Sequence, residues 1–506
     1  MSAAHRLRVA IRADASAQIG LGHVVRSLAV AQALRELDVD VVLLAADLGL
    51  DLSNRIAAAG VEYIGLAPAA PASATFDSAG DAARTIAALG AWSPDLVLVD
   101  HYGIDARWHG AVRASLKVLL AVIDDLAERD LAADWLIDPN LCPDPATKYT
   151  GRLLAPAVKL IGPRFALLAP VYRHAMPAAR AATVHSIGIF MGGTDPLGAS
   201  ATVLRACRAV ADFTGPIEIA VHSGNPALPA LRAACAASPG TELLVDAENL
   251  CAFFGRHELH VGAGGGATWE RCRMGAPTLA LVCASNQAGV IPPLAALGIV
   301  ATLPELSAVE SEAIGRTIRS LLDDAERRQE MSVRSRALVD GLGAMRVALS
   351  LAAGTLTVRR ALADDGRRLH AWRNHPATRR LSGDDAEIAW DTHRRWLGAA
   401  LADPDRTLLV ASIASTPIGS IRFDRAQSEA TVSLYLDPAL HGLGLGGAML
   451  GAGERFMAAN SRPPSRIVAT VLEANISSKR MFAAAGYRAI GAQWRKELSH
   501  QPGVAR

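Results

Sequence analysis

The chain has 506 residues, 51% hydrophobic and 20% charged, with a formal net charge of +2; at roughly 100–200 residues per domain this predicts about two to four domains with sizeable cores. Near-neutral charge without a dense Lys/Arg block excludes nucleic acid as the default partner, and no uninterrupted apolar run attains the ~18–20 residues of a membrane span. The opening MSAAHRLRVAIRAD has no signal-peptide core, and six scattered cysteines without a C-x-x-C pair fit reduced thiols and offer no zinc spacing, so a cytoplasmic protein is expected.

In chain order, LRVAIRAD, DVDVVLLAAD, VEYIGLA, PDLVLVDHY and KVLLAVIDDL read as strands, with helix-period stretches such as RSLAVAQALREL and DAARTIAALGAW between them. This alternation predicts a doubly wound, mostly parallel sheet. A second such series starts near residue 183 with HSIGIFMGGTDP, IEIAVHSG, TELLVDAEN and LHVGAGGGATWERCRMGAPTLALVCASNQ. The Pro-, Ala- and Arg-rich LLAPVYRHAMPAARAATV connects the two. Near residue 354 the pattern changes to a smaller α+β unit with strands TLLVASIA, TPIGSIRFD, EATVSLYLD and RIVATVLE. The expected fold class is α/β: two doubly wound Rossmann-like lobes, 1–172 and 173–350, followed by an α+β domain, 355–498.

His23 follows the turn Gly20-Leu21-Gly22 and opens a helix. In doubly wound sheets ligands lie beyond the carboxyl ends of strands, in the loops that open helices, and His23, Asp100 and Asp124 all fall in such loops. Glycines there let the chain turn tightly and aim helix N–H groups at an anion. The helix dipole opposes protonation of the ring and a diphosphate favours it; with an ordinary imidazole pKa of ~6.5, a largely neutral ring can take a proton from water. GAGGGATWE and MGGTDP are two further glycine turns suited to phosphate, although each of their polar residues has an alternative reading as a helix cap or loop group.

The ordered segments RADASAQIGLGHVVRSLAVA, LVDHYGIDARW, VIDDLAERDLAADWLIDPN, FMGGTDP and VGAGGGATWERCRMGAPTLALVCASNQ resemble glycosyltransferases of the GT-B architecture. They are closer still to the UDP-sugar hydrolases of pseudaminic acid biosynthesis, over residues 7–350. The resemblance implies that His23 is the general base, with Gly20 and Gly22 beside it. It implies a nucleotide grip from the second lobe: backbone of Gly264, Gly265 and Thr268 for phosphate, Glu270 for ribose, and Gly193, Thr194 and Asp195 as a second turn. Asn286 and Gln287 would hold sugar hydroxyl or acetamido groups. Asp14, Asp100 and Tyr102 would line the first lobe's active edge, Tyr102 against the sugar, while Asp124 and Asp125 read as caps. No His/Asp cluster has metal-ligand spacing, and no metal is expected.

In the last unit, TVSLYLDPALHGLGLGGAMLGAGERFMAA is strand, glycine loop and helix, and VLEANISSKRMFAAAGY places Asn475, Ser478, Phe482, Gly486 and Tyr487 at N-x-x-S-x-x-x-F-x-x-x-G-Y spacing. Over about residues 355–495 this resembles the GCN5-related N-acetyltransferases (GNAT). The likeness implies acetyl-CoA as co-substrate. Its pyrophosphate would lie on Gly442, Gly444, Gly446 and Gly447, and its arm along Leu434 and Leu436 of a splayed strand and at Asn475 and Ser478. His441 and Phe482 depart from the family's usual Arg or Gln and Tyr, and Glu473 is a candidate base. Trp372, Arg373, Asn374, His393 and Trp396 resemble the subgroup that acetylates amino sugars on nucleotides, where aromatic and planar groups suit stacking and hydrogen bonding; burial of the tryptophans in the core is the alternative. Together the likenesses imply a bifunctional enzyme acting on a UDP-linked amino-deoxy-sugar. A UDP-sugar glycosyltransferase, or a non-catalytic nucleotide-sugar sensor, is the alternative.

Overall fold

A computed structural model describes residues 6–15, 20–46, 52–67, 76–176, 181–303, 311–382, 385–491 and 493–498. The chain divides into two compact units, Met1–Ala348 and Leu349–Arg506. Unit 1 contains two parallel sheets. The first is built from β1 (Arg8–Ala13), β2 (Asp40–Ala45), β3 (Glu62–Gly65), β4 (Leu96–Asp100), β5 (Leu119–Ile123), β6 (Trp135–Asp138) and β7 (Val158–Ile161), in the order β3-β2-β1-β4-β5-β6-β7. Its central strands are apolar on both faces because helices cover both; all five residues of β4 are buried. Each buried Val, Leu or Ile is worth about 1.5–3 kcal/mol over an exposed one.

Strand order reverses between β1 and β4, which pair in parallel from Val9–Leu96 to Ala13–Asp100. Loops leaving the two strands therefore diverge to opposite faces and open a crevice at the carboxyl edge. His23 follows β1, and Asp100 is the last residue of β4. Both lie on that edge.

The second sheet uses β8 (Ile187–Phe190), β9 (Ile217–Val221), β10 (Thr241–Val245), β11 (Leu259–Ala263), β12 (Thr278–Leu281) and β13 (Ala301–Thr302), in the order β10-β9-β8-β11-β12-β13. Its reversal lies between β8 and β11, the strands that precede MGGTDP and GGGATWE. Ala166, Leu168 and Tyr172 pack with Phe253, Phe254 and Trp269 in a core beside this second sheet, so the segment before the expected boundary at 172 already belongs to the second lobe's packing.

Unit 2 holds β14 (Thr357–Arg360), β15 (Arg406–Ile413), β16 (Thr416–Ala426), β17 (Glu429–Leu436), β18 (Arg466–Thr470), β19 (Arg488–Ile490) and β20 (Gln493–Glu497), in the order β14-β15-β16-β17-β18-β20-β19. All neighbours are antiparallel except β17 and β18. The fold class is thus two Rossmann-like α/β lobes and a mixed-sheet α+β unit. Residues 325–355 are long and apolar enough by length and composition to cross a membrane, whereas the expectation was of no such span. In the fold 61% of the apolar window is buried, and the stretch is divided into helices Ala325–Leu338 and Gly343–Leu351.

Candidate functional site

Gly20 takes φ +77°, a conformation that only glycine adopts without cost, and this turns the chain from the edge of β1 into helix Gly22–Glu36. Its N-cap residue Leu21 makes no side-chain cap and its first turn has no acid, so among the described residues no carboxylate of the helix itself neutralises the partial positive charge there. His23 is 8% exposed. Its Nδ1 lies 2.6 Å from Asp100 Oδ1. Asp100 is fully buried, and the Arg26 guanidinium forks onto it through Nε at 2.6 Å and Nη2 at 2.7 Å. Burial raises the Asp100 pKa, but Arg26 and His23 outweigh it and hold the carboxyl well below the usual carboxylate range. An ionised carboxylate only accepts, so Nδ1 of His23 carries a hydrogen, which in a neutral ring leaves the lone pair on Nε2.

The Tyr102 ring stands edge-on to His23 at 4.6 Å, and its hydroxyl donates to Asp125 Oδ1 at 2.8 Å. Burial, followed by the Asp125 charge, raises the phenol's pKa, so it remains a donor. Asp125 Oδ2 also accepts from Arg26 Nη1 at 3.3 Å and from Asn140 Nδ2 at 3.2 Å. Trp269 of the second lobe donates its indole N–H to Asn140 at 3.2 Å, and Asn286 Nδ2 lies 3.5 Å from the Tyr102 hydroxyl. Arg55 reaches the Ala247 carbonyl at 2.6 Å. A cleft of about 490 Å³ runs between these lobes, lined by His23, Arg26, Tyr102, Thr194, Glu270 and Asn286 among others.

Gly20, Gly22, Gly193, Asp195, Gly264, Gly265 and Gln287 also line this cleft. Several have internal duties. The Asp195 carboxylate accepts from the N–H groups of Ala199 and Ser200, both at 2.9 Å, capping helix Ala199–Arg205. Gln287 Oε1 accepts from Gly264 N at 3.2 Å and Cys283 N at 2.7 Å, fastening one loop to the next. The Gly264 amide also bonds Leu281 O at 2.9 Å. The amides of Gly265, Gly266 and Ala267 are left, among the described residues, as the donors of this turn with no partner in the protein. Thr268 is buried and accepts from Arg271 at 3.1 Å, away from the cleft lining. Glu270 faces the cleft; burial raises its pKa against the opposing influence of Tyr172, Arg271 and Arg55.

Asp14 does not line the cleft. Arg12, wholly buried, holds it with contacts of 2.5 and 2.8 Å and bridges it to Asp81, and the Ala46 amide donates to it at 2.8 Å. Asp124 accepts the Ala127 amide at 2.9 Å, as a loop cap does. Asp125, expected as a cap, instead accepts from Arg26, Tyr102 and Asn140; Arg26 and Asn140 escaped the sequence reading. A recognisable signal existed for Arg26 alone, which lies three positions after His23 on one helix face.

In unit 2, β17 and β18 pair only from Glu429–Arg466 to Thr431–Val468. Beyond Thr431 the two strands part, so Leu434 and Leu436 have β16 on one side and no strand on the other. Gly442 (φ +83°) and Gly444 (φ +77°) carry the loop into helix Leu445–Ala458. A Cβ added at Gly444 or Gly447 meets nothing within 4 Å, whereas one at Gly446 meets Met481 Sδ at 2.9 Å. The Asn475 side chain accepts from Ser478 N at 3.0 Å and caps helix Ile476–Ala484.

Phe482 packs on Tyr487 at 4.9 Å, and Tyr487 donates to Glu454 at 2.8 Å. Trp372 and His393 are buried, and Asn374 ties down the backbone of Ile388 at 2.8 and 2.9 Å. His393 lies 5.3 Å from the half-buried Trp396. Arg373 is half-buried and Glu473 exposed. Among the described residues no group of three or more His, Cys, Asp or Glu is placed to hold a metal ion.

Residues 355–488 match the acetyltransferase (GNAT) domain family. Compared by sequence with curated proteins, the chain finds no match. Among solved structures it is similar to MurG from Acinetobacter baumannii, at 19% identity over 67% of this chain and 98% of that one, with a TM-score of 0.48. It is also similar to UDP-GlcNAc 2-epimerase from Neisseria meningitidis bound to UDP-GlcNAc, at 14% identity over 68% and 99%, with a TM-score of 0.48. The aminoglycoside acetyltransferase AAC(6')-Ib with ribostamycin and coenzyme A covers 28% of this chain and 93% of its own, at 17% identity and a TM-score of 0.26.

Proposed function

We propose that the chain is a bifunctional nucleotide-sugar enzyme. Unit 1 hydrolyses a UDP-sugar at its anomeric carbon, and unit 2 acetylates an amino group of the precursor sugar from acetyl-CoA. Within that reading the substrate of hydrolysis is UDP-2,4-diacetamido-2,4,6-trideoxy-β-L-altropyranose, and the acetylated group is the 4-amine, as in pseudaminic acid biosynthesis.

One observation carries the hydrolytic half: a histidine oriented by an ionised, buried aspartate at 2.6 Å, on the switch-point edge of a cleft whose far wall is a glycine turn with free amides. In the proposed step, His23 Nε2 takes a proton from water while that oxygen attacks the anomeric carbon. The bond from the anomeric carbon to the diphosphate oxygen breaks with its electron pair, and UDP departs as an anion that needs no acid. Attack from the face opposite UDP inverts the anomeric centre. The amides of Gly265, Gly266 and Ala267 and the partial positive charge at Gly22 suit the diphosphate. Glu270 is sited for ribose hydroxyls, with Tyr102 and Asn286 towards the sugar.

In unit 2 the match over residues 355–488 and the divergence of β17 from β18 support acetyl-CoA as co-substrate. Gly442, Gly444 and Gly447 leave backbone accessible to a pyrophosphate, and the strand edge at Leu434–Leu436 suits the amide-bearing arm. A thiolate of pKa near 8.5 is an adequate leaving group without the tyrosine that Phe482 replaces.

UDP release in water, with no acceptor added, is the decisive measurement. His23→Gln should lower it by about 10³-fold or more while UDP affinity changes less than threefold. Turnover of the variant at the wild-type rate, or an absolute need for a sugar acceptor, would remove the hydrolase reading; the second result would install a transferase.

A further inference from the structure

A carboxylate beside a general base creates a conflict. It fixes the tautomer, but an uncompensated buried negative charge against an imidazole also stabilises the imidazolium, which cannot accept a proton. The surroundings of His23 resolve it. Asp100 Oδ1 receives His23 Nδ1 at 2.6 Å and Arg26 Nη2 at 2.7 Å, while Oδ2 receives Arg26 Nε at 2.6 Å and Ser27 Oγ at 3.4 Å. Both oxygens of the carboxylate are thus engaged by one planar fork, a geometry that Lys cannot reproduce. Arg26 Nη2 also lies 3.3 Å from His23 Nδ1.

Several charged and titratable groups surround the imidazole. Arg26 is on its own helix; Asp100, His101 and Tyr102 come from the edge of β4. Asp125 stands behind Arg26 at 3.3 Å.

We propose that Arg26 is a positioning residue that cancels the charge of Asp100, so that this carboxylate aims His23 without holding it as the imidazolium. Arg26 lies three residues after the ring on the same helix face, and Asp125, itself held by Tyr102 and Asn140, engages its outer edge. The inference rests on His23 being the base of unit 1.

The test follows the His23 ring resonance through a pH titration of the full-length, histidine-labelled protein, assigned with His23→Gln, in wild type, Arg26→Gln and Arg26→Lys. Arg26→Gln should raise the titration midpoint by about one pH unit or more. The acid limb of the UDP-release profile should move up with it. Arg26→Lys, keeping the charge but losing the fork, should give a smaller rise in both. A midpoint and acid limb unchanged in folded Arg26→Gln would overturn the proposal; if circular dichroism shows that variant unfolded, an unmoved midpoint in Arg26→Lys would overturn it instead. The ring titration needs no turnover, so a wild type that releases no UDP would sink the hydrolase reading while still deciding the part played by Arg26.

Discussion

At the scale of single residues, Asp100→Asn separates orientation from charge. An amide can donate to Nδ1, which puts the hydrogen on Nε2, the nitrogen that the proposed hydrolysis needs bare. It also leaves Arg26 buried without its carboxylate. UDP release should fall by about 10²–10⁴-fold in kcat with KM little changed, by analogy with the loss of a triad aspartate; a variant within threefold of wild type would show that the dyad has no catalytic part. Two histidines near this network predict a different pH effect. His101 accepts the Gly103 amide at 3.0 Å and His109 that of Ala132 at 3.3 Å, so both rings are held neutral. Burial lowers each to about 4, helped at His101 by Arg12 and at His109 by Arg129. Between about 4 and the unfolded value of ~6.5 the unfolded chain binds protons that the folded one refuses, so stability is complete above 6.5 and drains away as pH falls towards 4. Urea denaturation of unit 1 should show a loss of up to about 2 kcal/mol per histidine at pH 5 relative to pH 7, and equal midpoints at the two values would contradict it.

Secondary-structure elements were legible to different depths. Long apolar runs such as those of β1, β2 and β4 announce themselves because burial on both faces demands it. The strands β6 and β7 have four residues each and sit in a stretch crowded with charge and proline, too short for a period to show. The same limit hides β19, three residues long and exposed throughout, and β20, mostly polar and only partly covered. Polar residues at loop ends are ambiguous for a further reason. Asp195, Gln287 and Asn475 each hold a loop or helix end through backbone N–H groups, and the local sequence of a cap is the same whether or not a ligand lies beyond it. Glycine is more informative where φ is positive. At Gly444, with φ +77° and open space around its missing Cβ, the Cβ of Gly444→Val meets nothing, but the residue must adopt a left-handed backbone, costing about 1–2 kcal/mol or shifting the loop. Calorimetric titration should show acetyl-CoA affinity reduced at least tenfold; unaltered binding would mean that this loop does not hold the cofactor.

For the whole molecule, two compact units each carry their own apolar interior. One example is the cluster of Leu369, Trp372 and Leu397 with Leu408 and Val410 in unit 2, another that of Val97, Val99 and Leu120 with Trp108 in unit 1. The composition shift near residue 354 made this division readable, because a parallel sheet and an antiparallel one need different alternation of apolar residues. Polar contacts also join the lobes of unit 1, Trp269 to Asn140 and Arg55 to Ala247, and no periodicity reports a hydrogen bond between segments over a hundred residues apart. A chain with separate cores need not melt in one step, and a ligand stabilises only the unit that binds it. Scanning calorimetry should therefore resolve two transitions. UDP at a hundred times its Kd should stabilise the transition of unit 1 by about 2.7 kcal/mol and leave the other in place; acetyl-CoA at the same excess should do the reverse. A single transition raised by either ligand would mean that the units unfold as one body, and a UDP effect confined to unit 2 would move the nucleotide site out of the cleft altogether.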